Sequence, residues 1–260
     1  MLVFHEQTLD STSTRAAELA AQHPGEIILV SAERQTAGRG RMGRKWQSPN
    51  GGAWLSMVWP SHQPPAAMQA APLVVGLAVC EAVVEIAGGA NDIDANLSLK
   101  WPNDLLINEQ KIAGILCEQI LGNTPNPQPP DQPLNSMILG VGINANIQTS
   151  SLHGELRHPP ASLIEICAKP VDTAKLITLT ANHMVRHMKT LETSGFTTEL
   201  HRLVTQRLAW VSQPVALELA GNIQSGICLG IDPDGKLLIR TPDGQTYAHA
   251  SGEISRFRRA

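Results

Sequence analysis

Aromatic side chains are scarce in this chain: five Trp, three Phe and one Tyr among 260 residues. Single-stranded nucleic acid is gripped by rows of exposed rings, so a stacking surface of that kind is not expected. An excess of one charge is missing too. Twenty Lys and Arg stand against 23 Asp and Glu, a formal net charge of −3, and bulk electrostatics at that balance do not hold a polyanion. Any anion must be met by a local cluster. Cys80, Cys117, Cys167 and Cys228 form no Cys-x-x-Cys pair, which argues against a disulfide framework or thiolate zinc site and for reduced thiols packed as small apolar groups. The most apolar window, Ala71 to Ala87, is interrupted by Glu81 and Glu85 and falls short of the about 20 residues that cross a bilayer. Met1 to Glu6 lacks the basic flank and apolar stretch of a secretory signal. Walker A, Gly-x-Ser-x-Gly and His-Glu-x-x-His patterns are all absent. His183 and His187 are spaced as metal ligands but have no third partner in the sequence, so no metal ligand is assigned. These absences predict a soluble, cytoplasmic chain without membrane or nucleic-acid partners.

What is present is an ordinary globular composition, 42% hydrophobic and 17% charged, with length for one to two domains. Asp10 to Thr14 offers N-caps for a helix near Arg15–Gln22, stopped by Pro24-Gly25. Ile27–Ala32, Ala53–Trp59, Leu97–Trp101, Leu105–Ile107, Lys111–Leu121 and Met137–Asn144 read as strands, with Asn108-Glu109 a tight turn. Helices are expected over Ala67–Ala87, ended by Gly88-Gly89, and over Asp172–Thr193 behind an Asp cap. Five prolines between Gly122 and Asn135 forbid regular structure and predict an exposed hairpin loop. After Trp210 the rhythm changes to short apolar runs, Val215–Leu219, Ile227–Ile231, Leu237–Ile239 and Thr246–Ala250, separated by turn residues. That spacing predicts a small β-barrel. The expected division is a larger domain over 1–210 and a β domain over 211–260. Trp54, Trp59, Trp101 and Trp210 are expected in the core.

The chemistry concentrates between Gln35 and Trp46. Arg34, Arg39, Arg41, Arg44 and Lys45 fall within twelve residues with no acid among them, interleaved with Gly38, Gly40 and Gly43, which let backbone approach a ligand. The result is a mobile, phosphate-attracting loop. Its Gly-x-Gly-x-x-Gly spacing is not a dinucleotide fingerprint, because Pro49 and turn residues stand where the following helix should begin. A solvated basic loop or an RNA-binding arginine–glycine segment are the competing readings. The second constellation is Lys100-Trp-Pro-Asn-Asp104 followed by Lys111-Ile-Ala-Gly-Ile-Leu-Cys-Glu118. Pro102 breaks a strand so that Asn103 and Asp104 project from its end, while Lys111 opens the next strand among apolar neighbours. Taken alone, Asp104 reads as a turn residue and Lys111 as a snorkelling lysine. Gly140-Val-Gly-Ile-Asn144 ends a further strand.

Together with Ser11-Thr12, Ser48-Pro-Asn-Gly-Gly52 and Ser251-Gly-Glu-Ile-Ser255, these segments occur in the order seen in biotin protein ligases, which the chain resembles over nearly its whole length. The resemblance implies an α/β (α+β) fold, with a mixed-sheet catalytic domain carrying a small SH3-like C-terminal barrel. It implies a ligase that joins biotin and MgATP into biotinyl-5′-adenylate and passes the biotinyl group to a lysine of a biotin carboxyl carrier protein. By the same resemblance Arg39, Arg41 and Arg44 close over biotin and phosphates, and Trp46 packs the lid. Lys111 holds carboxylate and α-phosphate oxygens. Ser11, Thr12, Gln35, Gly38, Gly114 and Gly140 surround biotin, Asn103 serves the nucleotide, Asn144 helps at the adenylate or metal side, and Asp104 orients or deprotonates the incoming lysine.

The pattern departs from the family at two positions. Met42 stands where many relatives carry Arg, and Ser13 replaces an Asn that often follows Ser-Thr. The residues before Leu9 leave no room for the DNA-binding helix-turn-helix of some relatives, so a repressor role is not expected; a homodimer stays open. A lipoate ligase or octanoyltransferase shares the superfold, but its serine–triple-glycine loop is missing here. Lipoate competition in ATP–pyrophosphate exchange separates those readings. Steep salt-dependent RNA affinity without exchange would mark the RNA-binding alternative.

Overall fold

Ser11 starts the first helix. Its hydroxyl accepts from the Ser13 backbone N–H (3.3 Å) and caps α1, Thr12–Gln22, three residues earlier than expected. The computed structural model describes residues 1–89, 91–121, 135–153, 158–219 and 221–256; the proline-rich segment 122–134 lies outside them. Ahead of the cap runs β1, Leu2–Leu9, a strand the sequence reading did not anticipate. Leu2 and Phe4 face inward and Val3 and His5 outward, but four of its eight residues are polar, and an edge strand needs no continuous apolar run.

The chain then lays down β2 (Ile28–Gln35), β3 (Ala53–Ser61), α2 (Ala71–Ile86), the short α3 (Asn91–Asn96), β4 (Leu97–Lys100), β5 (Asp104–Ile107), β6 (Gln110–Leu121) and β7 (Asn135–Ile143). The expected helix at Ala67 begins at Ala71 instead, behind a 3₁₀ turn over Pro65–Met68. Pro72 has no N–H to give to a preceding turn, so it takes the first turn of the helix rather than its interior. Asn108 and Glu109 both adopt positive φ (48° and 65°), the geometry of a two-residue hairpin turn. Seven strands form one mixed sheet in the order β1-β2-β3-β7-β6-β5-β4, parallel only between β1 and β2. Side-chain alternation divides its faces. Ile28, Val30, Val58 and Ile138 pack under α1 with Ala16 and Leu19. Leu29, Leu55, Met57 and Leu139 pack on the other face against α2 and α5 (Thr173–Ser194). Asp172 caps α5 by accepting from Lys175 N (2.9 Å).

Two further helices, α4 (Leu163–Cys167) and α6 (Thr198–Arg207), escaped the sequence reading. In α6 only Leu200 and Val204 are buried, too short a stripe to signal a helix. The C-terminal part is a five-stranded antiparallel sheet of β8 (Pro214–Leu219), β9 (Asn222–Ile231), β10 (Leu237–Arg240), β11 (Thr246–His249) and β12 (Glu253–Arg256), ordered β11-β10-β9-β8-β12. Among the described residues no ladder joins β11 to β12, so the SH3-like unit is an open barrel. Its apolar residues Val215, Leu217, Ile239 and Ile254 belong to the same buried cluster as α2. Trp101 Nε1 donates to Gly235 O (3.1 Å) across that junction, and Ala209 N donates to Leu99 O (2.8 Å). The four tryptophans expected in the core are buried, and each indole N–H has an acceptor. Cys80 and Cys228 are buried, all four thiols are free, and burial pushes Cys80 and Cys117 up to about 12.

Candidate active site

On the α1 face of the sheet, beyond the helix, three glycines stand where side chains would fill the surface. Gly142 pairs with Gly114 across β7 and β6, and Gly140 lies one alternation away opposite Ser56. A Cβ on Gly142 would approach Trp46 Nε1 to 2.5 Å, and one on Gly114 would meet Trp46 Cζ3 at 3.0 Å. The missing side chains open a cavity of about 170 Å³, and the Trp46 indole lies over its floor.

One wall is polar and neutral. Thr12 Oγ1 and Ser13 Oγ meet Ser56 Oγ at 2.8 and 3.0 Å, Thr12 N donates to Gln35 Oε1 (2.7 Å), and Gln35 Nε2 donates to Ser48 Oγ (2.7 Å). Ser11, Thr12, Ser13, Ser48 and Ser56 are buried. A set of donors and acceptors held this way suits a buried polar group that would otherwise lose its hydrogen bonds to water.

The opposite wall is cationic. The arginine–glycine segment folds back as a small hairpin: Trp46 N donates to Gly38 O (2.8 Å) and Gly40 N to Arg44 O (2.7 Å). Met42 (φ 56°) and Gly43 (φ 73°) turn its tip. Met42 is 84% exposed and reaches nothing in the cavity. The arginines are lightly tethered. Arg39 pairs with Glu118 (2.8 Å), Arg44 with Glu253 of β12 (3.2 Å), and Arg41 donates to Asn103 Oδ1 (3.1 Å). Burial and then the Arg44 charge lower the Arg41 guanidinium from its ordinary value.

At the far end β4 and β5 form a hairpin whose turn is Trp101 to Asn103. Asn103 is locked to β6, its Nδ2 donating to Ile115 O and its O accepting from Ile115 N, both at 2.8 Å. Asp104 is no mere turn residue. Its carboxylate meets Lys111 Nζ at 2.7 Å and Lys100 Nζ at 3.4 Å. Burial pushes this carboxyl up, but the Lys111 and Lys100 charges outweigh it and hold it below the usual carboxylate range. Lys111 also lies 5.0 Å from the Trp46 ring centroid, a cation–π approach. Lys100 is buried, 2.6 Å from His158 Nε2 and 3.7 Å from Glu253. Burial lowers its ammonium despite Asp104 and Glu253.

The structure thus gathers Ser11, Thr12, Gln35, Arg39, Arg41, Arg44, Trp46, Asn103, Asp104, Lys111, Gly114 and Gly140 around one cavity. Two expected members are elsewhere. Gly38 does not line it; its Cα faces the Trp46 carbonyl, so closely that a side chain would collide, and it serves the loop's fold. Asn144 is buried beside it, donating to Ala161 O (3.0 Å) and Lys111 O (3.4 Å), where it fastens residue 161 to the start of β6. Ser13, Ser56, Gly142, Lys100, His158 and Glu253 line or flank the cavity without having been assigned to it. Lys100 and Glu253 belong to the Lys-Trp-Pro-Asn-Asp and Ser-Gly-Glu-Ile-Ser motifs, whereas His158 belongs to no motif. His183 and His187 face Glu81 (3.2 and 2.7 Å) on the opposite helix layer, as polar partners of that carboxylate.

Residues 5–127 match the model of the biotin/lipoate A/B protein ligase family, and residues 213–256 match that of the biotin protein ligase C-terminal domain. The biotin–[acetyl-CoA-carboxylase] ligase of Paracoccus denitrificans is 31% identical over 243 residues, covering 93% of this chain and 95% of that protein. The chain belongs to the biotin protein ligase family. The bifunctional ligase/repressor BirA of Bacillus subtilis is 34% identical over 255 residues, 94% of this ligase and 70% of that protein. The structure of the Aquifex aeolicus biotin protein ligase in complex with biotin and ATP superposes with a TM-score of 0.79 at 29% identity, covering 99% of both chains. The fold class expected of the ligase, a mixed-sheet domain with an SH3-like C-terminal unit, is the one observed.

Proposed function

We propose that this ligase activates biotin with ATP as biotinyl-5′-adenylate, releasing pyrophosphate, and then transfers the biotinyl group to a lysine of a biotin carboxyl carrier domain. The sorting of polarity within one cavity carries this reading: a neutral hydroxyl–amide wall faces an arginine-rich loop, with Lys111 between them at the end. Biotin divides the same way, into a neutral ureido ring and an anionic carboxylate. The ring would bond Ser11, Thr12 and Gln35, with Gly140 and the Gly114 backbone leaving room for the bicycle and valeryl chain. The carboxylate would then point toward Lys111.

Two anions, the carboxylate and the α-phosphate, must approach before the acyl–phosphate bond forms. Lys111, Arg39, Arg41 and Arg44 offset their repulsion and stabilise charge on the pentacoordinate phosphorus. Asn103 fixes Arg41 toward the nucleotide side. Asn144 acts indirectly by holding the backbone of Lys111. Among the described residues no three His, Cys, Asp or Glu side chains cluster as metal ligands, and Asp104 and Glu253 are already paired with cations. This donor set fits Mg²⁺ entering as MgATP, coordinated by phosphates and water, rather than a resident metal. The reaction would take place in the cytoplasm, where ATP and carboxylases meet.

Biotin-dependent ATP–pyrophosphate exchange by the purified protein, followed by labelling of an apo carrier domain, tests the two steps separately. Exchange driven equally by lipoate, or none with biotin, overturns the reading.

A further inference from the structure

The incoming carrier lysine is an ammonium, with an ordinary pKa near 10.4, and must lose a proton before it can attack. Asp104 touches that chemistry yet is a weak base: two lysines keep it ionised and hold its proton affinity low. The proton therefore needs another acceptor, and the geometry around Lys100 supplies one.

Residues 159–161 strap across the start of β6: Lys111 N donates to Pro159 O (2.8 Å) and Ala161 N to Lys111 O (2.9 Å). Asn144 ties the same strap down through Ala161 O. This brings His158 to the cavity rim, with its Nε2 2.6 Å from Lys100 Nζ. Lys100 in turn reaches Asp104. An ammonium at Lys100 can only donate, so with Lys100 charged the imidazole accepts at Nε2. His158 also borders a second opening of about 220 Å³, shared with Glu218, Ile223 and Glu253, and is itself partly exposed to solvent.

We propose that His158 is a positioning residue of the transfer half-reaction, the proton acceptor that keeps Lys100 able to deprotonate the carrier lysine. This rests on the ligase reading above. Lys100 passes a proton to His158 Nε2 and, as a neutral amine, takes one from the carrier ammonium beside Asp104. The freed nitrogen attacks the biotinyl carbonyl, the N–C bond forms, and the C–O bond to phosphate breaks with its electron pair going to AMP. The second nitrogen proton leaves on the AMP phosphate, and imidazolium releases its proton to solvent. Among the described residues the charged groups around His158 are Lys100 (β4), Asp104 (β5), Lys111 (β6), Glu218 (β8) and Glu253 (β12); the Trp210 ring lies 6.4 Å away. Burial, and then the Lys100 charge, lower the imidazole from its usual value, which keeps it neutral at pH 7 and lets it give up an acquired proton readily.

The test uses the full chain loaded with preformed biotinyl-adenylate and two acceptors: an apo biotin carboxyl carrier domain, whose lysine must be deprotonated, and hydroxylamine, whose amine is already neutral at pH 7. Wild type lacking biotin-dependent exchange sinks the ligase reading, and with it this one. Given exchange, His158→Gln should lower the carrier-to-hydroxylamine rate ratio about a hundredfold, within the range for proton transfer by a positioned base. In wild type, carrier transfer should rise with pH below about 6.5, and in the variant that rise should move into the alkaline range. His158→Ala, which leaves space for a small base, should regain carrier transfer when imidazole is added. An unchanged ratio and pH profile, or equal losses with both acceptors, would overturn the proposal; so would a lowered ratio in His158→Ala that imidazole does not restore.

Discussion

Lys111 Nζ and Asp104 Oδ1 meet at 2.7 Å, a contact between neighbouring strands set up by the hairpin turn at Asn108-Glu109. The pair joins the group assigned to adenylate formation with the group assigned to the lysine that arrives afterwards. During adenylation biotin and the α-phosphate can claim Lys111 while Asp104 keeps Lys100 as its counter-ion, and during transfer the arriving carrier ammonium lies beside Asp104, so in the proposed reaction neither half leaves a buried carboxylate unpaired.

Lys111→Ala should cripple the first step. Loss of a preorganised charge partner for developing oxyanions costs about 3–4 kcal/mol, a hundredfold to a thousandfold in rate. Biotin-dependent pyrophosphate exchange measures it, and a loss below tenfold would remove Lys111 from the adenylation site.

Asp104→Asn keeps shape and hydrogen bonding but removes the anion that would receive the carrier ammonium. Single-turnover transfer from preformed adenylate should fall at least tenfold more than exchange. Equal losses would assign Asp104 to the nucleotide instead.

The same variant predicts a pH dependence of stability. The folded pKa of Asp104 is depressed, so its ion-pair contribution is fully present above the unfolded value near 3.9 and is lost as pH falls through the folded value. Breaking a buried pair costs about 3 kcal/mol. Thermal unfolding should show Asp104→Asn less stable than wild type at neutral pH, with the gap narrowing below about pH 4. A gap constant down to pH 2 contradicts this.

The arginine–glycine hairpin is tethered by ion pairs through Arg39 and Arg44, exposed side chains whose pairs contribute about 0–1 kcal/mol each. It should open readily and close on an anion. Trypsin cleavage after Arg39 or Arg41 should slow at least fivefold once biotin and ATP are added together. Equal cleavage with and without them would show that the loop is not a lid.

Local chemistry was legible in the chain wherever a residue acts through its neighbours in sequence. The caps at Ser11 and Asp172, the turn at Asn108-Glu109, most central strands and the cationic loop follow from propensity and spacing. The edge strand β1 and helix α6 did not, because half-exposed elements carry weak periodicity and owe their conformation to the surfaces they lie on. Even the start of α2 moved by one turn for want of a single N–H at Pro72.

By itself the sequence determined which residue types reach the site: the arginines, Lys111, Asp104 and the glycines that leave the sheet face open. Only the tertiary structure decided their partners. Asp104 is ionised between two lysines because three strands converge there, Gly38 and Asn144 brace the cavity from outside it, and Glu253 arrives from 149 residues beyond Asp104. His158 had no motif to announce it, and it faces Lys100 only because the strap at 159–161 pairs with the backbone of Lys111. Hydrogen bonds and ion pairs depend on separations of about 3 Å, and those distances, between residues remote in sequence, exist only once the chain has folded.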